Sequence, residues 1–370
     1  MNQLYIGLMS GTSLDGVDGV LADFGDPALP IQVLDHVALP FEADFRAQLL
    51  SLNSPGDNEL HRAALAANRL AQAYAEVVQR LLQQTRRAAT EIAAIGAHGQ
   101  TVRHRPLEFD GHGYTLQLHN PSLLAELSGI AVVSDFRSRD VAAGGQGAPL
   151  VPAFHRAVFG KPQAAVAALN IGGISNLTLL APDGLTLGFD CGPGNALMDL
   201  WCARHLGRNY DAGGAWAAQG RVQPELLAAL LAEPWLQAVP PKSTGRDLFN
   251  AAWLEQRLAR HPAEPVDVQA TLCEFTAAAC AQHLQAHAPT TRELIVCGGG
   301  ALNTHLMRRL AASLPGVAVV DSSHCGLPPL QVEAAAFAWL ARQRLSLEPG
   351  NLPGVTGARG PRVLGGWYAA

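Results

Sequence analysis

Residues 5–24 read YIGLMSGTSLDGVDGVLADF, two apolar strands joined by a polar, glycine-rich turn. The same order returns at residues 164–180, AAVAALNIGGISNLTLL, where Gly172 and Gly173 occupy the turn. In both halves a third strand follows, and helices then alternate with strands. This repeated order predicts a duplicated mixed α/β domain rather than one continuous parallel sheet.

The length of 370 residues also favours two domains over one. A Gly/Pro-rich stretch at 142–152, AAGGQGAPLVP, is the predicted crossover between them. We therefore predict a first domain over residues 1–140, joined by the C-terminal tail 345–370, and a second domain over 141–344. Two such domains leave a cleft, where ligands commonly bind.

The composition excludes several classes of protein. The formal net charge is -5 and no block of like charge occurs, which argues against a nucleic-acid partner. No run approaches the ~18 apolar residues of a transmembrane helix, and the N-terminus lacks the basic region of a signal peptide. Six scattered cysteines without a C-x-x-C pair predict reduced thiols. We expect a cytoplasmic protein with neither nucleic acid nor membrane as a partner.

The turn of the first hairpin combines glycines, hydroxyls and carboxylates. Glycines let the backbone approach a ligand closely, and successive N–H groups form a nest suited to phosphate. The P-loop spacing and its lysine are absent, and a simple turn is an equally weighted interpretation. Asp15 or Asp18 could hold Mg2+ through water. The predicted phosphate contacts are Gly11, Thr12, Ser13, Asp15, Gly16 and Asp18.

The second half contains three further motifs. Gly172 and Gly173 repeat the first turn, so the two turns are predicted to hold phosphates from opposite sides of the cleft. Asp190, in FDCGPGN, is predicted at a strand end before a turn that opens a helix, although a lone Asp there is more often a cap. The glycine triplet after IVC is similar to a dinucleotide-binding motif, but its glycines do not have the spacing of that motif. A role as a platform for adenosine fits the triplet equally well. Its predicted nucleotide contacts are Gly298, Gly299 and the helix-capping Asn303.

Two predicted loops concentrate His, Gln, Arg and Asp beside glycines: GAHGQTVRHRP at 96–106 and SDFRSRDVAAGGQGAP at 134–149. Such side chains suit a sugar or a carboxylate, which arginine can bind through two parallel hydrogen bonds. The alternative is a set of solvated loops. Glu333 begins the last helix, where a carboxylate is by default a favourable partner of the helix dipole.

Together these motifs resemble the anhydro-N-acetylmuramic acid kinases, a sugar kinase family of the actin/hexokinase/Hsp70-like superfamily. The resemblance covers nearly the whole chain. It implies an α/β protein of two duplicated ribonuclease H-like (actin/hexokinase-type) domains, with ATP and Mg2+ in the interdomain cleft. The family usually has Thr where this chain has Cys191, beside the presumed base Asp190. The matching motifs, in order, are GLMSGTSLDGVDGV, GAHGQTVRHRP, DFRSRDVAAGGQGAPLVP, NIGGISNLT, FDCGPGNALMD and CGGGALN.

The resemblance also implies a reaction and a set of roles. 1,6-Anhydro-N-acetylmuramic acid, ATP and water would give N-acetylmuramic acid 6-phosphate and ADP, a step of peptidoglycan recycling. Asp190 would accept a proton from the attacking water, with Glu333 as the second catalytic residue, and Arg137 would face the lactyl carboxylate. A homodimer would be common for such enzymes. The implied sugar contacts are His98, Gln100, Arg103, Asp135, Arg137 and Asn195.

Three alternatives stay open from the residues alone. An ordinary sugar or hexosamine kinase of the same superfamily would phosphorylate a reducing sugar without consuming water. A non-catalytic regulator that binds ATP or sugar would need a DNA-binding or partner-binding segment, for which the sequence offers no candidate. A dinucleotide-dependent oxidoreductase is the weakest alternative, because the glycine spacing does not match its fingerprint.

Overall fold

The computed structural model describes residues 3–11, 13–26, 30–240, 242–245 and 247–370, so the predicted phosphate contact Thr12 lies outside the described residues. The strands are β1 Leu4–Met9, β2 Gly16–Asp23, β3 Gln32–Pro40, β4 Ile92–Ala97, β5 Gln100–Pro106, β6 Gly113–Leu118, β7 Val132–Ser134, β8 Val166–Ile171, β9 Ile174–Leu180, β10 Thr186–Pro193, β11 Glu293–Cys297, β12 Ala318–Asp321 and β13 Gly366–Tyr368. The helices are α1 Ala43–Ser51, α2 Glu59–Thr85, α3 Pro121–Ser128, α4 Ser138–Ala142, α5 Val151–Phe159, α6 Ala196–Leu206, α7 Pro224–Leu231, α8 Ala251–Leu258, α9 Pro265–His287, α10 Thr304–Ser313, α11 Val332–Leu345 and α12 Pro353–Thr356.

The chain folds into two compact units. The first unit is Met1–Val158 together with Gln331–Ala370, and the second is Phe159–Leu330. These bounds differ from the predicted domain ends at residues 140 and 344. Helix α11 belongs to the first unit because it packs against β1 and β4 of that unit's sheet.

Each unit contains one main sheet of five or six strands, and the two main sheets have the same topology. The first has the order β3-β2-β1-β4-β7, with β13 added at its far edge, and the second has the order β10-β9-β8-β11-β12. In both, the first three strands in chain order pair antiparallel, and the next two continue parallel to the first. The predicted duplicated ribonuclease H-like α/β fold is therefore confirmed.

Helices α2 and α11 cover the first sheet. The buried stripe of α2 includes Leu70, Tyr74 and Val77, at the three- and four-residue spacing that predicted this helix. The other helix approaches much more closely, at two glycines of the sheet. A Cβ on Gly7 would lie 1.9 Å from the Ala334 carbonyl oxygen, and one on Gly96 would lie 2.0 Å from that of Phe337. Only glycine permits this contact, which places the alanine-rich α11 directly on the strands.

The prediction of a loop at residues 96–106 was wrong. Residues Gln100–Pro106 form β5, which pairs antiparallel with β6 in a separate two-stranded sheet. Its polar residues mask the strand signal, because little of its surface is buried in either main core. The predicted loop at 134–149 likewise contains α4, and α1 and α5 had no predicted counterpart. No helix in the described part of the chain is long and apolar enough to cross a bilayer.

Candidate active site

In the second unit, Asp190 lies on the edge strand β10, opposite Asn176 of β9. The register shifts between Asp190 and Gly192, so a β-bulge occurs at this carboxylate. The strand continues to Pro193, so the prediction that Asp190 ends the strand was wrong. A bulge interrupts the regular alternation of side chains between the two faces of a sheet. It therefore changes the direction of the Asp190 side chain relative to its neighbours on β10.

A short loop segment, residues 242–244, holds Asp190 at two atoms. The Asp190 amide donates to the Lys242 carbonyl oxygen at 3.1 Å. The Thr244 amide donates to Oδ2 of the Asp190 carboxylate at 2.9 Å. Burial raises the pKa of Asp190 to about 6, against the opposing effects of the Thr244 hydrogen bond and the Lys242 charge. A half-buried carboxyl of this kind is ionised at neutral pH and is basic enough to accept a proton.

Cys191, which replaces the family's usual Thr, is fully buried behind this site. Its thiol donates to the Ser175 carbonyl oxygen at 3.3 Å and lies 3.6 Å from the sulfur of Cys280. Burial raises the pKa of the Cys191 thiol well above its usual value, so the group is a neutral thiol. The thiol hydrogen bond is thus made to the neighbouring strand.

The second hairpin turn meets the start of α6. The Asn195 amide donates to the Gly172 carbonyl oxygen at 2.8 Å, and the Gly194 amide donates to that of Gly173 at 2.9 Å. The Asn195 side-chain amide binds the Ile171 carbonyl oxygen at 3.2 Å. Gly299 is close, since a Cβ there would lie 3.6 Å from Asn195 Nδ2. The structure therefore gathers the turn, Asn195 and the glycine triplet.

The two other predicted nucleotide contacts are Gly298, the first residue of the triplet, and Asn303, which follows the triplet. Gly298 has a φ of +77°, and its amide donates to the Pro329 carbonyl oxygen at 3.0 Å. The side-chain oxygen of Asn303 accepts the Leu306 amide at 3.0 Å, which caps α10 as the sequence suggested. Contact of either residue with a nucleotide stays a prediction.

In the first unit, buried hydrogen bonds support the first hairpin turn. The Tyr74 hydroxyl lies 3.0 Å from the Ser10 hydroxyl and accepts the Gly99 amide at 3.1 Å. Ser10 in turn donates to the Gly99 carbonyl oxygen at 3.1 Å. The Gln100 side-chain amide donates to the Gly11 carbonyl oxygen at 3.1 Å, so Gln100 supports the turn from below. Gly11 and Ser13 stay partly accessible above this network.

The acidic residues of this hairpin differ in their surroundings. Asp15 is exposed, with its carboxylate 3.8 Å from Arg46, whereas Asp18 lies on β2 with Oδ1 3.0 Å from His36 Nε2. No group of three or more His, Cys, Asp or Glu side chains suited to a metal occurs in the described residues. Magnesium in nucleotide sites needs only one or two carboxylates besides phosphates and water, so a role of Asp15 or Asp18 in holding Mg2+ stays a prediction. Gly16 faces β3, where a Cβ would lie 2.3 Å from the Leu39 carbonyl oxygen. The packing of the two strands therefore explains why this residue is glycine.

A second polar cluster of the first unit contains His98, Arg137 and Glu333. The Arg137 guanidinium donates to His98 Nε2 and, at 2.9 Å, to the Gly147 carbonyl oxygen. Burial lowers the pKa of Arg137 to about 10, against the opposing effects of the Glu333 and Asp140 carboxylates. Burial lowers the pKa of His98 to about 3, so the imidazole is neutral. The cluster therefore joins a cation to an acid that begins α11.

Gly147 belongs to a loop that a buried carboxylate holds in place. Asp140 accepts hydrogen bonds from the Gly147 amide at 2.8 Å, from Asn351 Nδ2 at 2.6 Å and from the Thr356 hydroxyl at 2.8 Å. Its side chain is fully buried. Asp140 thereby links α4 to the C-terminal segment and fixes the carbonyl that Arg137 binds.

The remaining predicted sugar contacts lie elsewhere. Arg103 donates to the Leu52 carbonyl oxygen and, at 2.8 Å, to Glu59, so its guanidinium joins the ends of α1 and α2. Asp135 is exposed with a φ of +57°, and its carboxylate accepts the Ser138 amide at 3.3 Å. Contact of Arg103 or Asp135 with a sugar stays a prediction.

Tyr74, Asp140, Lys242 and Thr244 were not predicted as functional residues from the sequence. Tyr74 and Asp140 act from within the fold, and neither residue belongs to a local pattern that signals chemistry. For Lys242 the sequence offered one indication of a special role. The chain has 26 Lys and Arg residues, and Lys161 and Lys242 are the only lysines among them.

Comparison with known proteins provides a family. The profile of the anhydro-N-acetylmuramic acid kinase family matches residues 3–370. A protein of that name from Variovorax paradoxus is 64% identical over 100% of this chain and 99% of its own length. Namesakes from Albidiferax ferrireducens, 59% identical over 100% of both chains, and Chromobacterium violaceum, 53% identical over 100% of both chains, are also similar. The chain therefore belongs to the anhydro-N-acetylmuramic acid kinase family.

Proposed function

We propose that the protein opens the 1,6-anhydro ring of 1,6-anhydro-N-acetylmuramic acid with water and transfers the γ-phosphoryl group of ATP to O6. The products are N-acetylmuramic acid 6-phosphate and ADP. The observation that carries this proposal is the Asp190 carboxylate, half-buried at a bulge and held by one backbone N–H group. Its pKa, raised to about 6 by burial, suits a general base at neutral pH.

In the proposed reaction Asp190 accepts one proton from water, and the water oxygen bonds to the anomeric carbon. The bond between that carbon and O6 breaks, and its electron pair goes to O6. Oxygen 6 then attacks the γ-phosphorus, and the bond to ADP breaks. The protein contributes positioning and charge stabilisation to this transfer, as is general for phosphoryl transfer.

We assign the phosphates of ATP to the two glycine-containing hairpin turns. Gly11 and Ser13 are partly accessible, and the Gln100 and Ser10 hydrogen bonds support the turn that carries them. Gly172 and Gly173 are also partly accessible in the second turn. Asp15 and Asp18 would hold Mg2+ through water, and the ion would neutralise phosphate charge.

We assign the sugar to side chains of the polar cluster around Arg137. The hydrogen-bond partners of Arg137 are a neutral imidazole and a carbonyl, so its positive charge can pair with the lactyl carboxylate. Glu333 is exposed at the start of α11 and can bind a sugar hydroxyl. We further expect a cytoplasmic enzyme, because all six cysteines are free thiols, and a homodimer by family resemblance.

The test compares ADP release on the anhydro sugar and on its reducing form, N-acetylmuramic acid, for wild type and Asp190→Asn. Asp183→Asn, at an exposed turn of the same unit, is the matched control. We expect turnover on the anhydro sugar, lost in Asp190→Asn and retained in the control. In 18O-labelled water, the product quenched before anomeric exchange should carry label at the anomeric hydroxyl. Equal or faster turnover on the reducing sugar, without label from catalysis, would instead support the ordinary sugar kinase.

A further inference from the structure

We propose that Lys242 is the positioning residue of the general base: its ammonium closes the loop whose backbone holds Asp190. The inference rests on the proposed role of Asp190 and adds a residue to it. Every contact involved lies within the second unit.

The Lys242 ammonium has three N–H groups and three acceptors. Nζ lies 2.8 Å from the Leu236 carbonyl oxygen, 3.3 Å from that of Trp235 and 3.2 Å from His283 Nε2. The two carbonyls belong to the middle residues of a short 3-10 turn, Pro234–Gln237, and His283 lies on α9. Lysine thus joins the loop to a helix of the core, with all of its donors used.

Trp235 closes the same loop from the other side. Its indole N–H donates to the Ser243 carbonyl oxygen at 3.1 Å. The Lys242 ammonium also lies 4.4 Å from the centre of the indole ring, within the range of a cation–π interaction. Residues 235 and 242 therefore hold each other through side chains, with residues 238–240 in the loop between.

This closed loop presents two backbone groups to the edge of β10. The Lys242 carbonyl oxygen accepts the Asp190 amide, which would otherwise be an unpaired edge donor, and the Thr244 amide binds the Asp190 carboxylate. The ammonium and the two Asp190 contacts lie within three consecutive residues. Loss of the ammonium should therefore release the loop and with it the carboxylate.

Lys242 acts on Asp190 through its charge as well as through the geometry of the loop. The titratable groups that face the pair are Cys191, Cys280, His283 and His287. Burial lowers the pKa of His283 to about 4, so its ring is neutral and Nε2 can accept a hydrogen bond. The buried Cys191 thiol is neutral as well, and the Lys242 charge favours the ionised form of Asp190.

Lysine suits this position better than arginine would. An ammonium directs three donors tetrahedrally at converging acceptors, whereas a guanidinium is planar and larger. The chain otherwise uses arginine almost throughout, with Lys161 and Lys242 as its two lysines. Lys161 pairs with Glu293 at the surface and provides a matched control.

The first experiment measures the pH profile of kcat/KM for Lys242→Met, Lys242→Arg and Lys161→Met. For Lys242→Met we expect kcat to fall on the order of 10–100-fold and the acid limb to move about one pH unit upward, because the favourable charge is lost. Lys242→Arg should lose kcat with its acid limb unmoved, since it keeps the charge and changes the geometry. Lys161→Met should match wild type. An unmoved acid limb in Lys242→Met would overturn the proposal, even if its Tm fell.

A second measurement does not depend on the folding of Lys242→Met. Protein labelled with [ε-13C]lysine gives two lysine side-chain signals, which Lys161→Met assigns. The pKa of Lys242 should be lower in Asp190→Asn than in wild type, because the same interaction stabilises both charges. An unchanged Lys242 pKa would refute the coupling. An active Asp190→Asn enzyme would refute the proposed base itself, which separates the two failures.

Discussion

Arg137 directs two N–H groups at one acceptor, Nε2 of His98, at 3.1 Å from Nε and 2.9 Å from Nη2. Because arginine only donates, His98 must be neutral, with its proton on Nδ1. A neutral imidazole orients the guanidinium without cancelling its charge, on which the nearby carboxylates of Glu333 and Asp140 also act. That arrangement leaves Arg137 able to bind an anion.

Arg137→Met should therefore raise the KM for the anhydro sugar about tenfold or more, since a hydrogen bond to a charged group contributes about 1.5–3 kcal/mol. The KM for ATP should change little. Steady-state kinetics on the sugar and on its lactyl methyl ester provide the measurement. The ester should bind wild type and Arg137→Met equally poorly, and Arg139→Met, an exposed neighbour, should behave as wild type. An equal penalty on acid and ester would show that Arg137 does not read the carboxylate.

The pH dependence should follow the Asp190 carboxyl. Its pKa is raised to about 6 in the folded protein, and the base must be ionised to accept a proton. We expect kcat/KM to be constant above neutrality and to fall about tenfold per pH unit below about 6. The profile should be recorded with saturating nucleotide and with a check of Tm at each pH. A flat profile down to pH 5 would contradict an ionised Asp190 as the base.

Tyr74→Phe should weaken ATP binding through the first hairpin turn. The change removes the hydroxyl that binds Ser10 and the Gly99 amide, in a fully buried position. Leaving these groups unpaired costs about 1–3 kcal/mol. We expect a lower Tm and a higher KM for ATP, measured by thermal unfolding and initial rates. Tyr5→Phe, at a buried tyrosine elsewhere in the unit, controls for the lost oxygen, and equal effects of both changes would remove the link to the turn.

Asp140→Asn should destabilise the first unit. Three donors surround the buried carboxylate, and an amide would oppose one of them with its own N–H groups. We expect the free energy of unfolding of the first unit to fall by about 3 kcal/mol, measured as the shift of that unit's unfolding transition in urea. Asp57→Asn changes an exposed carboxylate of the same unit and should leave that transition in place. A wild-type transition for Asp140→Asn would mean that the loop at Gly147 is held by other contacts.

Cys191→Thr, which restores the residue usual in the family, should keep kcat within about twofold, a change of about 0.4 kcal/mol. The thiol donates to the Ser175 carbonyl oxygen, and a threonine hydroxyl can make the same hydrogen bond. The pH profile should also keep its acid limb. A displaced limb would reveal that the residue at 191 contacts the Asp190 carboxylate during catalysis.

The parts of the fold that could be predicted are those with a local signal. Both hairpins combine apolar strands with glycine turns, and α2 shows its stripe over many turns, so the duplication was readable from residue order. The contacts around the site come from residues far apart in the chain. Thr244 is 54 residues from Asp190, Lys242 is 41 from His283, and Thr356 is 216 from Asp140. No local pattern encodes such partners, which is why Asp190 and Arg137 could be selected from the sequence but their hydrogen bonds could not be predicted.

The close contact of α11 with Gly7 and Gly96 has a consequence for biosynthesis. The strands that carry these glycines leave the ribosome early, whereas α11 follows only after all of Phe159–Leu330 has been made. At typical rates of translation that interval is on the order of 10–30 s. During it one face of the nascent sheet lacks its covering helix, while the later unit can already fold. The N-terminal sheet therefore stays without part of its native cover until synthesis is almost complete.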